Sequence, residues 1–168
     1  MSIDVTDKVT ALKAALEDKP NGVLEDVARQ FAVATRQVID ALPLGMQTCV
    51  DGSHFEAVMT DVTAWGDVTF LVHTGDVIVE YKGAVPPGRF ARGYYNLEGG
   101  ALGGHLRAEN CAAIYFVRRP FMKLETRAIW FVNQSGEPMF KIFVGRNPDR
   151  SLKEDQVTRF DALLSRLS

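Results

Sequence analysis

The chain has 168 residues, enough for one domain with a sizeable core. Its residues are 46% apolar and 24% charged, as in ordinary globular proteins, and no apolar run approaches the roughly 20 residues that would predict membrane insertion. The formal net charge of −2 argues against proteins that coat nucleic acid with a basic surface, so we expect no nucleic-acid partner.

The chain start and the cysteines indicate an intracellular protein. Residues 1–7 contain neither a basic segment nor an apolar one, so we expect no signal peptide. Cys49 and Cys111 lie far apart and share no CxxC spacing, which predicts neither a disulfide framework nor a zinc site. The expected location is the cytoplasm.

Residues 1–45 predict three short helices, because their apolar residues recur at helical spacing and proline or glycine interrupts the pattern at 19–22 and at 43. The spacing resembles a helix-turn-helix. The third helix, however, offers only Thr35, Arg36 and Gln37 to bases and phosphates. We therefore interpret residues 1–45 as a packing or dimer-supporting appendage to residues 46–168, within a single domain 1–168.

A helix and a hairpin are predicted next. Ser53 and Glu56 form a capping-box pattern that opens a helix ending near residue 65. Runs rich in β-branched and aromatic residues at 68–73 and 77–81 predict two strands joined by a turn at 74–76. The Pro-Pro-Gly sequence at 86–88 is expected to break the sheet.

The last third of the chain predicts three strands and a helix. A long apolar run at 111–119 should end at Pro120, and strands at 127–132 and 139–144 flank a strong hairpin signal at 133–138. A second capping box, Ser151 to Glu154, should open the final helix. Short hairpins without strand–helix alternation predict an α+β fold: N-terminal helices, a curved, mostly antiparallel sheet and a C-terminal helix.

Residues 88–107 combine side chains that seldom occur together in a surface loop: paired tyrosines, a histidine, arginines and several glycines. Imidazole and phenolate groups ligate haem iron, and arginines pair with carboxylates such as the haem propionates. The residues alone therefore suggest a haem site. The candidate side chains are the histidines His73 and His105, either of the tyrosines Tyr94 and Tyr95, and the possible propionate partners Arg89, Arg92 and Arg107.

Each candidate also has an ordinary structural interpretation. Period-two alternation places His73 on the face opposite Phe70 and Val72, where it could make a single hydrogen bond at the rim. The glycines before His105 could simply serve a turn, and paired tyrosines often bury their rings. The arginines could be solvated charges, since Glu98 and Glu109 lie close in sequence.

No catalytic constellation is recognisable. The sequence has no Gly-x-Ser-x-Gly elbow, no His-Glu-x-x-His, no Walker loop and no GxGxxG that follows a strand. The glycine-rich segment 99–104 lacks a lysine and a following helix, so it is a weak phosphate-loop candidate.

Four segments in combination resemble the HutX/ChuX family of bacterial cytosolic haem-utilisation carrier proteins. They are residues 65–74, 93–97, 104–111 and 118–121, and the similarity extends over nearly the whole chain. The resemblance implies half of the larger two-repeat cytosolic haem-trafficking fold and a homodimer. It also implies haem as bound cargo that passes to a haem-degrading or haem-storage protein.

The same resemblance implies two different sets of iron ligands. The family's two histidines fall on His73 and His105, whereas the tyrosine described for part of the family falls on Tyr95, before Asn96. Three hypotheses follow. The first is a cytosolic haem carrier, the second an enzyme acting on haem or its breakdown products, and the third a DNA-binding regulator that uses the N-terminal helices.

Overall fold

Two antiparallel sheets form the centre of the structure, a computed structural model that describes residues 5–168. The strands are β1 Gln47–Asp51, β2 Asp67–His73, β3 Ile78–Ala84, β4 Gly88–Ala91, β5 Tyr94–Leu97, β6 Gly104–Leu106, β7 Cys111–Phe121, β8 Leu124–Asn133 and β9 Pro138–Phe143. The helices are α1 Val5–Asp18, α2 Leu24–Phe31, α3 Thr35–Asp40, α4 Phe55–Val62 and α5 Glu154–Leu167, with 3₁₀ turns at Gly52–His54 and Ala108–Asn110. The signal-peptide expectation rests partly on residues 1–4, which lie outside the described residues.

The larger sheet has six strands in the order β1-β7-β8-β9-β2-β3, and the smaller sheet has the order β4-β5-β6. All the strand pairs are antiparallel. This confirms the predicted α+β class, the N-terminal helices, the two predicted hairpins and the final helix. Among residues 5–168, none of the helices is long and apolar enough to cross a membrane.

Each face of the larger sheet carries its own apolar core. On one face, Ile114, Phe131 and Ile142 pack with α4, α5 and the smaller sheet. On the other, Tyr115, Trp130 and their neighbours pack with α1, α2 and α3. The alternation of side chains along each strand makes these two cores possible, because successive residues point to opposite faces.

The polar side chains of the third helix make hydrogen bonds within the protein. The hydroxyl of Thr35 donates to the Glu137 carboxylate over 2.6 Å, and the Nε of Arg36 donates to the Tyr115 hydroxyl over 2.9 Å. The Gln37 side chain accepts from the backbone N–H of Ala34. The three residues that could have contacted DNA are therefore engaged in intramolecular hydrogen bonds, which supports a packing role for this helix.

Both predicted capping boxes are wrong. The Asp51 carboxylate accepts from the backbone N–H of Ser53 over 2.8 Å and begins a 3₁₀ turn before α4. The hydroxyl of Ser151 donates to Asp149, and α5 begins at Glu154 without a side-chain cap. In both cases an aspartate two residues earlier binds the serine, as expected for a local turn.

The end of the long strand also differs from the prediction. Strand β7 continues through Pro120 to Phe121, and Pro120 lies opposite Glu125 on β8. The turn between the strands consists of Met122 and Lys123, which both have positive φ values, as two-residue hairpin turns of type I′ require. Neither is a typical turn residue, so this hairpin is hard to predict from the sequence.

Candidate functional site

A tight hairpin organises the smaller sheet. Strands β4 and β5 are joined by Arg92 and Gly93, whose φ values of 55° and 80° match a type I′ turn. This turn sets the register, so that Phe90 lies opposite Tyr95 and Arg89 opposite Asn96. The predicted propionate partner Arg92 is exposed at the tip of the hairpin.

The register divides the two tyrosines between the faces of this sheet. Tyr95 and Leu97 point inward and belong to the apolar core, together with the partly buried Leu106 opposite Tyr95. Asn96 lies opposite His105, so both side chains project from the outer face. By the same alternation, Tyr94 also lies on the outer face.

His105 is exposed and has two close neighbours on this face. Its Nδ1 lies 2.6 Å from the Oδ1 of Asn96, and its ring centroid lies 5.8 Å from that of Tyr94. The Tyr94 ring is held in turn by Arg107, which donates to its hydroxyl over 2.7 Å and stacks its guanidinium 4.5 Å from the ring centroid. An imidazole, a phenol and a cation therefore meet on one exposed surface.

Tyr95 occupies a different environment. Its side chain is 2% exposed and makes edge contacts with Phe55 and Phe90. Burial raises the pKa of its hydroxyl, which hydrogen-bonds with the Thr60 side chain and the Gly88 backbone. A raised pKa opposes formation of the phenolate that would bind ferric iron. These features favour a packing role for Tyr95.

The close approach of Tyr95 explains why residue 88 is glycine. A Cβ atom on Gly88 would lie 2.0 Å from the Tyr95 ring, far inside van der Waals contact. The two residues therefore form one packing unit beneath the outer face.

His73 lies on the opposite face of the larger sheet, as the alternation predicted. On β2, His73 lies on the same face as Leu71, two residues earlier. Leu71 pairs with Lys141, and Lys141 pairs with Trp130, so His73 shares its face with Trp130 and the N-terminal helices. Its Nδ1 lies 3.3 Å from a carboxylate oxygen of Glu25 on α2. Within one chain, the larger sheet separates His73 from Tyr95 and from His105.

His73 lines a small cavity beneath α2. The cavity has a volume of about 170 Å³ and walls of Leu71, Trp130 and Phe143. That volume is smaller than the roughly 300 Å³ of the smallest typical small-molecule binding pockets. A larger groove of about 670 Å³ shares Leu71 and other residues with the cavity. The cationic side chains that line the groove are Lys82, Lys123, Arg127, Arg146 and Arg150.

The two remaining predicted arginines make only weak ion pairs. Arg89 lies 3.5 Å from Glu98, and Arg107 lies 3.9 Å from Glu109, with all four side chains more than half exposed. Such exposed pairs contribute little stability, so they do not prevent either guanidinium group from binding another anion, although Arg107 also contacts Tyr94.

Sequence reasoning missed three residues that contact a candidate histidine or line the cavity beside it. A buried asparagine in a strand is unusual, so Asn96 could have been noticed from its position after two tyrosines. Glu25 and Lys141 carry no such signal, because they are distant in sequence and meet only after folding.

Comparison with known proteins agrees with this architecture. Residues 48–163 match the model of the family described as "Haem utilisation ChuX/HutX". The chain is 39% identical over 150 residues to the Vibrio cholerae "Intracellular heme transport protein HutX", covering 88% of this chain and 78% of that protein. A solved structure, described as "Structure of the Heme Binding Protein ChuX", is 42% identical, with a TM-score of 0.85 over 93% of this chain and 98% of that one.

The expected relation to two-repeat proteins is also confirmed. The haem-binding protein PhuS from Pseudomonas aeruginosa superimposes with a TM-score of 0.77 over 96% of this chain but only 48% of its own. At 13% identity this likeness concerns the fold alone. From the family match and the high identity to HutX, we conclude that this chain belongs to the ChuX/HutX haem-utilisation family.

Proposed function

We propose that this protein is a cytoplasmic haem carrier that binds one haem per chain through the outer face of the smaller sheet. The observation that carries the proposal is the exposed imidazole of His105 beside Tyr94 and Arg107, in a member of a haem-utilisation family. Imidazole is a common axial ligand of haem iron, and aromatic and cationic neighbours suit the ring and its propionates. The names of HutX and ChuX support the same cargo and role.

Among the three candidate ligands, His105 is the one we assign to the iron. It is exposed, whereas the hydroxyl of Tyr95 is engaged beneath the sheet and His73 contacts Glu25. Arg89, Arg92 and Arg107 surround this face and are the proposed partners of the haem propionates.

His73 can join the same site only across two subunits. A haem that touched both His73 and the partner subunit's His105 would lie over the cavity and cationic groove of one chain and the smaller sheet of the other. The apolar walls of the cavity and the basic residues of the groove suit a ring with two carboxylates.

A homodimer is therefore part of the proposal. Strand β3 forms an edge of the larger sheet and exposes Ile78 by 59% and Val79 by 55%, next to Val77 at 52%. An exposed apolar edge strand is a ready site for association with a second chain. Pairing through β3 would bring the neighbourhood of His73 to a subunit interface.

A carrier must release its cargo, which a single exchangeable ligand permits better than a sealed bis-histidine site. We infer that haem passes from this protein to a haem-degrading or haem-storage protein. The second hypothesis, an enzyme acting on haem, stays open because haem can supply its own chemistry.

Titration with haemin tests the proposal. We expect a saturable Soret shift with an equimolar end point, which His105→Ala weakens and His54→Ala, a change at a histidine outside the site, leaves unchanged. Absorbance that rises linearly without saturation would contradict haem binding. Incubation of the complex with reductant and oxygen separates carrier from enzyme, because an enzyme would lose the Soret band and form a biliverdin-like product.

A further inference from the structure

Asn96 is held in one orientation by the hairpin around it. The side chain is 9% exposed, and its Nδ2 lies 3.1 Å from each of the carbonyl oxygens of Arg89, Ala91 and Tyr94. The two amide hydrogens are thus shared among three acceptors. The reversed orientation would turn Oδ1 towards three carbonyl oxygens, where it finds no donor, which is costly for a buried group.

This orientation determines which nitrogen of His105 carries the proton. The Oδ1 of Asn96 faces the Nδ1 of His105 at 2.6 Å, and a carbonyl oxygen can only accept. Nδ1 must therefore be the donor. In the neutral ring the other nitrogen, Nε2, is then unprotonated and holds a free electron pair.

We propose that Asn96 is a positioning residue that fixes His105 in the tautomer whose Nε2 binds the haem iron. The inference rests on the proposed function and adds to it the group that prepares the ligand. Metal-binding histidines commonly donate their second ring N–H to a fixed acceptor, which sets the ring orientation and raises the basicity of the ligating nitrogen. Here the acceptor is an amide fixed by backbone carbonyls.

The neighbouring side chains are consistent with this role. Tyr94 lies at 65° to the His105 ring and limits its rotation from one side. Because Arg107 holds Tyr94 through both its hydroxyl and its ring, the imidazole is bounded by Tyr94 as well as by Asn96. The ring is therefore oriented before any ligand arrives.

The haem-free protein offers a direct test. Nitrogen-15 NMR at a pH where the ring is neutral distinguishes a protonated Nδ1 from a protonated Nε2. We expect His105 to carry its proton on Nδ1, with His54 as an internal reference outside this network. A proton on Nε2 of His105 would overturn the inference whether or not the protein binds haem.

Two substitutions extend the test to the haem complex. Asn96→Gln keeps an amide that can donate to the carbonyls and accept from Nδ1–H, whereas Asn96→Leu removes both groups. We expect Asn96→Leu to mix the tautomers, lower the iron–histidine stretching frequency of the ferrous complex and speed haem loss by about 10- to 100-fold. Asn96→Gln should keep the Nδ1–H tautomer and most of the retention.

The outcomes separate this inference from the proposed function. An Asn96→Leu protein with the parent's iron–histidine frequency and rate of haem loss would overturn the positioning role while haem binding stands. A parent protein that binds no haem would instead remove the proposed function. If Asn96→Leu fails to fold, the tautomers of the parent and of Asn96→Gln still decide, and a proton on Nε2 in either contradicts the inference.

Discussion

Glu25 on α2 forms an ion pair with Lys141 on β9, and both side chains are almost completely buried. The Lys141 ammonium also lies 3.6 Å from the centroid of the Trp130 ring. Burial lowers the pKa of Lys141, and the Glu25 carboxylate partly offsets that effect. The N-terminal helices are thus attached to the sheet by a charged contact inside an otherwise apolar core.

Glu25→Ala should therefore destabilise the fold strongly. Removing one partner of a buried ion pair leaves the other charge unpaired, which costs about 3–5 kcal/mol in the free energy of unfolding. The matched control is Asp26→Ala on the same helix. Its exposed pair with Arg29 should contribute no more than about 1 kcal/mol. Urea unfolding measures both, and equal losses would contradict a special role for Glu25.

The ion pair between Glu25 and Lys141 also bears on whether the N-terminal helices form a separate folding unit. We propose that residues 1–45 and 46–168 unfold as a single unit, because the helices share a core with the sheet. Helical circular dichroism and the fluorescence of the two tryptophans, Trp65 and Trp130, should then follow one urea transition. Separate midpoints for the two signals would mean that the helical appendage folds independently.

Val79→Lys should dissociate the proposed homodimer. A charge on the exposed edge strand β3 opposes pairing with a second chain. Light scattering should report twice the chain mass of 18.6 kDa for the parent and a single chain mass for the variant. Leu44→Lys, at a fully exposed leucine away from that strand, should leave the dimer intact. A parent mass of one chain at all concentrations would contradict the dimer.

Tyr94→Phe and Tyr95→Phe should have different effects. Loss of the Tyr94 hydroxyl frees Arg107 on the outer face and should alter the haem spectrum and haem retention. Loss of the Tyr95 hydroxyl removes a mostly buried hydrogen bond, which should cost about 1 kcal/mol of stability and leave the spectrum unchanged. Disappearance of a phenolate charge-transfer band in Tyr95→Phe would instead identify Tyr95 as the ligand.

The sequence predicted the large elements because their signals are local. Apolar periodicity gave the three N-terminal helices, and the segments around residues 74–76 and 133–138 gave two hairpins. Strand β1 was not predicted, and neither were the short strands β4, β5 and β6. With four residues or fewer and several glycines, they show no clear alternation, and a turn of Arg92 and Gly93 is an uncommon signal.

The candidate site was only partly predictable for the same reason. Without the β4–β5 register, nothing in the sequence tells which of Tyr94 and Tyr95 faces the core. In the sequence, His73 ends a predicted strand and His105 follows two glycines, yet their faces are opposite once the sheets form. Glu25 contacts His73 and Asn96 contacts His105, and these contacts determine what each histidine can bind. Neither contact can be predicted from the spacing of residues in the sequence.

The two histidines give the final prediction. His105→Ala should speed haem loss to apomyoglobin without changing the melting temperature, because the side chain lies on an exposed face and its loss leaves only the Oδ1 of Asn96 free for water. His73→Ala should lower the melting temperature, because it enlarges the cavity beside Glu25 and leaves that carboxylate with one partner fewer, at a cost of about 1–3 kcal/mol. Faster haem loss in both variants, with a lowered melting temperature only in His73→Ala, would support a haem shared between subunits. An unchanged rate in His105→Ala would remove His105 from the iron and return the assignment to His73 or Tyr95.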